Sequence, residues 1–279
     1  MTLRLGWFSS GREEADSNLF RAVMGAIERG TLDVSVSFVF CDYDEGESPS
    51  DPGFACRKRF AELVRSYDVP TLTLSWQKTK ESWSHDPKMD WRACFGKTMR
   101  KLIYERAFEL GLVVGLSVPM DSDSRTRFDL VGLYPSLPNG PWGDRRVIVS
   151  HLIRAHADRH GAMVRLCRPG RVEGIPVTYC SFTLASTDLK PLWMDLEGRA
   201  AGGKLALLSD EDVLTSPLFK RISFEEERRE IPLLTYTIKL FADGDLDIVN
   251  GRLLSEGMAV TSASDLTPNV DAWLQQRSP

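Results

Sequence analysis

The chain has 279 residues, 42% hydrophobic and 27% charged, which is enough to bury a full core and is ordinary for a soluble protein. Its 35 Lys and Arg against 39 Asp and Glu leave a formal charge of −4, which excludes a generally basic surface for nucleic acid or anionic membrane. Apolar runs such as LGLVVGLSV fall short of the roughly 20 residues of a spanning helix.

Leu3–Ser9 reads as a first strand and not as part of a signal peptide. SGREEADSNL follows as a loop, then a helix over Asn18–Arg29 with Leu19, Val23, Ala26 and Ile27 on one face. Ser17 is its expected cap and Gly30 its stop. VSVSFVF (Val34–Phe40) alternates and is β-branched, hence a second strand, and the Gly, Pro and Asp of CDYDEGESPSDPG make a loop. Phe54–Tyr67 is helical, Pro70 opens a third strand TLTLSW, and Gln77–Asp90 is polar without a clear period. Trp76, Trp83 and Trp91 read as caps on the core more than as a pocket. Trp91–Leu110 is a long helix ended by Gly111, and Leu112–Val118 is a fourth strand.

Strand and helix thus alternate over the first 118 residues, the pattern of a mostly parallel, Rossmann-like α/β sheet. DLVGLYPSLP then reads as a short apolar run ending in a turn. Beyond NGPWGD come a helix near Val147–Arg159, strands near Ala162–Cys167 and Pro176–Leu184, and a loop or lobe at Asp188–Gly203. A charged helix, Pro217–Arg229, leads into IPLLTYTIKLF, followed by a turn at Asp243–Gly244 and a short strand. Residues 1–249 form the expected domain and 250–279 a tail. Five cysteines without a C-x-x-C pair read as reduced thiols of a cytoplasmic protein.

A strand, then SG, then SNL opening a helix, presents backbone N–H groups and a positive dipole end, a weak anion-site signal that many βα turns share. It is neither G-x-G-x-x-G nor a P-loop. Taken in order with DLVGLYPSLP, RPGRVEGIPV and EERREIPLLTYTIKLFADGDLDI, however, it resembles the phosphoribosylglycinamide formyltransferases and the wider formyltransferase-fold family. There the phosphate loop has the form S-G-x-G-S-N-L, the catalytic strand ends in N-I-H-P-S-L-L-P, and an acidic loop reads D-x-G-x-P. A closing helix carries R-x-x-x-x-E-H-x-x-Y-P. The likeness covers about Leu5 to Ile248.

The resemblance implies a formyl group moved from 10-formyltetrahydrofolate to an amine of a phosphorylated, sugar-type substrate, in purine biosynthesis. It assigns Gly11, Ser17 and Asn18 to the phosphate, Glu227 to the substrate, and Leu116, Ser117 and Val118 to the folate pocket. REEAD (Arg12–Asp16) stands where the family has one or two small residues, and its carboxylates would repel a phosphate unless they turn outward.

The centre departs most. The family's Asn and His fall on Gly132 and Tyr134, and its Asp on Glu173. Formyl transfer needs donors to a developing oxyanion, each typically worth about 10²–10³ in rate, and a group that moves a proton between nitrogens. Tyr134 and Glu173 are the catalytic candidates, but a phenol with an ordinary pKa of about 10 shuttles protons poorly near neutrality. The alternative is a catalytically degenerate member of the fold that binds a ligand or a partner. His156 and His160, four apart on one expected helix, have metal-ligand spacing but no H-E-x-x-H companion, and no metal is expected. His151 is a candidate replacement for the lost imidazole, and Asp121, Asp123 and Asp129 read as turn residues.

Overall fold

A computed structural model describes residues 2–44, 50–83, 90–116, 128–168 and 171–277, with the backbone alone at Trp83, Leu116, Arg168, 171–173 and Ala201. Among the described residues eight strands form one sheet in the order β11-β7-β6-β5-β4-β1-β2-β3. These are β1 Leu3–Ser9, β2 Val34–Cys41, β3 Thr71–Thr73, β4 Leu112–Leu116, β5 Leu130–Tyr134, β6 Arg159–Arg168, β7 Arg171–Thr183 and β11 Ser264–Asp265. The pairs β1–β2, β1–β4, β2–β3, β4–β5 and β7–β11 run parallel. β6 and β7 are sheet neighbours only two residues apart in sequence, a connection that suits antiparallel strands alone. The expected mostly parallel α/β architecture is present, and no described helix is long and apolar enough to cross a membrane.

The chain divides into two compact units. The first comprises Met1–Gly132, Arg165–Ile175 and Ile238–Val260. Its central strand β1 is covered on both faces, as a parallel strand must be. Phe8 meets Phe40 at 5.3 Å and Phe38 at 5.9 Å, while its neighbour Trp7 packs edge-on against Phe20 at 5.4 Å. Helices α1 (Glu14–Glu28), α2 (Phe54–Ser66), α3 (Trp76–Trp83) and α4 (Trp91–Glu105) belong here. So does a small antiparallel sheet of β8 (Asp247–Val249), β9 (Arg252–Ser255) and β10 (Met258–Ala259).

Several boundaries differ from the expectation, each for a local reason. α1 opens at Glu14 and not at Asn18, because Glu13 caps it; the Glu13 N–H donates to Asp16 Oδ2 at 3.4 Å. α3 occupies the stretch without a period, started by Ser75, whose hydroxyl accepts from the Lys78 N–H at 3.2 Å. α4 stops at Glu105, five residues early, where Ala107 adopts a φ of 50°. Trp76 and Trp91, 5.7 Å apart, pack on the aromatic core as caps.

The second unit comprises Leu133–Val164, Pro176–Thr237 and Thr261–Pro279. Helix α5 runs Arg145–Arg154, starting two residues and ending five residues earlier than expected: Asp144 caps it by accepting from the Val147 N–H at 3.0 Å, and His156 ends the turn at φ 50°. The stretch read as a loop carries helix α6 (Lys190–Arg199), with Pro191 in its first turn and Trp193 and Leu196 buried. A short helix α7 (Asp210–Thr215) follows.

Helix α8 runs unbroken over Pro217–Asp243 and does not end at Arg229. Pro232 lies inside it, a placement that typically costs about 3 kcal/mol. Leu233, Leu234, Thr237, Ile238 and Phe241 continue a buried helical stripe past it, and their burial offsets that cost. Residues past Asn250, read above as a tail, also carry β11 and α9 (Thr267–Gln275), with Leu253, Val270 and Leu274 buried.

Candidate functional site

The β1–α1 turn lies in the first unit. Gly11 sits at φ 60°, a Cβ there would stand 3.0 Å from the Phe60 ring, and its N–H donates to Ser9 Oγ at 3.1 Å. Glu14 and Asp16 occupy the first turn of α1 and so complement the positive end of the helix dipole from within. Asp16 is buried beside Ser10, and burial pushes its pKa up to about 6. The Arg12 guanidinium lies 5.5 Å from the centre of the Trp76 ring. Ser17 is therefore not the cap: it is buried inside the helix, and Asn18 accepts from Arg21 at 3.1 Å. The REEAD stretch, read as an insertion in the loop, supplies the first turn of the helix.

In the middle of β5, Gly132 leaves no room for the asparagine that the sequence resemblance sets against it. A Cβ would stand 2.9 Å from the Gly115 carbonyl oxygen. Two residues on, in the second unit, Tyr134 is buried and its ring lies 4.2 Å from that of Trp142. Its hydroxyl accepts from the Gly143 N–H at 2.7 Å and donates to the Gly143 carbonyl at 3.0 Å. The phenol thereby pins the Pro141–Trp142–Gly143 segment. Gly143 is at φ 148°, and a Cβ there would meet Val147 at 2.9 Å, so no other residue fits the closure without strain.

Leu116 ends β4 opposite Ser9 of β1, while Ser117 and Val118, with Asp121 and Asp123, lie outside the described residues. Glu173 is in β7, its side chain outside the described part. It directly precedes Gly174, whereas D-x-G-x-P spacing puts the carboxylate two residues ahead of the glycine.

One ionic arrangement in the second unit is one that sequence reasoning missed. Arg145, in the first turn of α5, donates to Glu226, Glu227 and Glu230 of α8 at 3.0, 2.7 and 2.7 Å. Glu226 is fully buried, and its other oxygen lies 2.8 Å from Nε2 of buried His160. Burial raises the Glu230 pKa more than Arg145 lowers it. Burial works against the Arg145 charge, but Glu230, Glu226 and Glu227 outweigh it and raise its pKa above the usual value. Glu227, assigned above to the substrate, is therefore held by Arg145. Within this unit Tyr134 and Glu227 serve different partners, Gly143 and Arg145. A faint signal existed in EEERRE, at the end of the stretch read above as a charged helix. Glu226 and Glu230 stand four apart on one helical face.

The histidines separate. His156 lies past the end of α5, stacked on Trp193 at 4.6 Å and 2.9 Å from Glu197, whereas His160 is in β6. They do not share a helix, and no cluster of three metal-ligating side chains occurs among the described residues. His151 is exposed.

No family model matches the sequence, and no curated protein does either. Solved structures do match. The phosphoribosylglycinamide formyltransferase of Coxiella burnetii aligns over 95% of this chain and 99% of its own, at 15% identity and a TM-score of 0.61. Glycinamide ribonucleotide transformylase 1 of Symbiobacterium toebii covers 91% and 94% at 19% identity, TM-score 0.56. The formyltetrahydrofolate deformylase of Burkholderia mallei covers 91% of this chain and 70% of its own at 11% identity, also with a TM-score of 0.56. This chain carries the formyltransferase fold, in divergent form.

Proposed function

We propose that this protein is a catalytically degenerate member of the formyltransferase fold, a binding module that does not transfer formyl groups by the family's chemistry. The carrying observation is the closure of the Tyr134 hydroxyl onto both polar groups of Gly143. Its single proton is donated to a carbonyl, so it is not offered to an oxyanion. Gly132 adds no donor. Two further inherited positions are also engaged: carboxylates stand at the N-terminus of α1, where a phosphate dianion would have to sit, and Glu227 is paired with Arg145.

A second reading has one observation in its favour: Tyr134 ends β5, and the sequence resemblance sets it against the family's histidine. In that reading the chain transfers formyl from 10-formyltetrahydrofolate to an amine of a phosphorylated, sugar-type substrate, with Tyr134 and Glu173 as catalytic groups. Gly11, Ser17 and Asn18 hold the phosphate, Glu227 the sugar, and Leu116–Val118 line the folate pocket. Its setting is cytoplasmic purine biosynthesis.

A turnover assay with 10-formyltetrahydrofolate and glycinamide ribonucleotide separates the two, joined to calorimetric titration of each. The degenerate reading expects no turnover above background. Turnover that falls at least tenfold in Tyr134→Phe or Glu173→Gln establishes the second reading. Binding of the nucleotide without turnover leaves an inherited phosphate site in a non-transferring protein.

A further inference from the structure

A cavity of about 340 Å³ opens in the second unit between α8, α9 and the C-terminal end of β7. It is built around Glu225, which receives three guanidiniums. Arg221 and Arg228 reach its Oε1 at 2.8 and 3.3 Å, and Arg229 reaches Oε2 at 2.6 Å. A carboxylate accepts about four hydrogen bonds, whereas three guanidiniums carry about fifteen N–H donors. At Arg229, whose side chain is 12% exposed, a second carboxylate is engaged as well, Asp271 Oδ1 at 3.5 Å, and the Nε is still buried with no acceptor. Phe224 lies between the other two, with guanidinium carbons 5.7 Å (Arg221) and 6.0 Å (Arg228) from its ring centre, which holds both in place.

The rest of the lining narrows the ligand. Phe182, Leu189 and Leu274 supply apolar wall, and the volume exceeds what a lone phosphate or carboxylate fills. Asp188 and Asp271 also line the cavity. With Glu225 they bring three carboxylates against three arginines, so a polyanion gains nothing from the net charge. A ligand with one negative end, one positive end and an apolar body meets all three features.

We infer that this cavity binds a free α-amino acid with an apolar side chain. Its carboxylate takes the guanidinium donors that Glu225 leaves on Arg221 and Arg228, its ammonium faces the exposed carboxylate of Asp188, and its side chain packs on Phe182, Leu189 and Leu274. The site shares no residue with the β5 centre, so it is independent of whether the chain turns over formyl groups.

The test is calorimetric titration of the full chain with L-leucine and L-phenylalanine, beside N-acetyl-L-leucine (no ammonium), L-leucinamide (no carboxylate) and inorganic phosphate. Free leucine or phenylalanine binds at submillimolar concentration, and both blocked analogues bind at least tenfold more weakly. Arg228→Gln, at a half-exposed position, keeps the melting temperature of the wild type and weakens the amino acid at least tenfold. Binding of neither amino acid overturns the inference, as does equal affinity for N-acetyl-leucine. Phosphate bound as tightly as leucine, or unchanged affinity in Arg228→Gln, overturns it as well.

Discussion

His160 Nε2 lies 2.8 Å from Glu226 Oε2, with the two side chains 1% and 0% exposed, and Glu226 spends its other oxygen on Arg145 Nε at 3.0 Å. One carboxylate thus ties together β6, α5 and α8. Breaking a buried ion pair by removing one partner typically costs about 3–5 kcal/mol, because the charge left behind has no compensation. Arg145→Ala is expected to lower the stability in urea by that amount. Arg145→Lys recovers part of it, since an ammonium cannot reproduce the guanidinium fork. Arg145→Ala with Glu226→Gln and Glu230→Gln recovers more than either glutamate change alone.

Asp16 gives a pH signature. Its folded pKa is about 6 against an ordinary 3.8. Below about 3.8 the folded and unfolded chains both hold the proton; between about 3.8 and about 6 the folded chain alone holds it. Stability therefore falls as pH rises through that window and stays lower above it. Asp16→Asn removes this contribution, and at pH 7 it is expected to stabilise by on the order of 2 kcal/mol. Urea midpoints at pH 4 and pH 7 measure it: an unchanged wild-type-like slope in the variant would falsify the assignment.

Gly161 in β6 is fixed by sterics. A Cβ there would overlap the Cys180 carbonyl oxygen and stand 2.9 Å from Ser181 Cα, both main-chain atoms. Gly161→Ala is expected to destabilise by more than about 3 kcal/mol. Gly198→Ala, in α6 with nothing within 4 Å of the new methyl, is expected to be neutral or stabilising by up to about 1 kcal/mol. Thermal unfolding of the pair, in parallel, decides the point.

Tyr134→Phe leaves the Gly143 N–H and carbonyl without their partner. A loss of about 1–3 kcal/mol follows, together with faster hydrogen exchange at the Gly143 amide. Wild-type exchange there would show that the phenol does not hold the loop.

The elements legible in the sequence are those whose signal is local. β1 to β4 follow from β-branched and aromatic runs, and alternation with helices gave the parallel order. The start of α1 was hidden because Glu13, Glu14 and Asp16 look like loop residues, although acids belong in a first helical turn. The extent of α8 was hidden by Pro232, which by local rules ends a helix; a buried stripe over Leu233–Phe241 overrides it. The Arg145 cluster was illegible for another reason. Its partners are 81 to 85 residues away, a separation no spacing rule reaches. The Tyr134 closure spans nine residues, and Gly143 in GPWGD was its only written trace.

Helix α8 presents two differently charged flanks. Glu226, Glu227 and Glu230 meet Arg145, while Arg221, Arg228 and Arg229 gather around Glu225. Each residue added to a helix rotates all that follows by about 100°. A single insertion or deletion between Arg221 and Glu230 would swing the carboxylates away from Arg145 while leaving Arg221 behind. The helix is therefore keyed in length as well as in composition. Across descendants of this sequence, length change is expected to collect before Pro217 or after Gly244, never within that decade of residues.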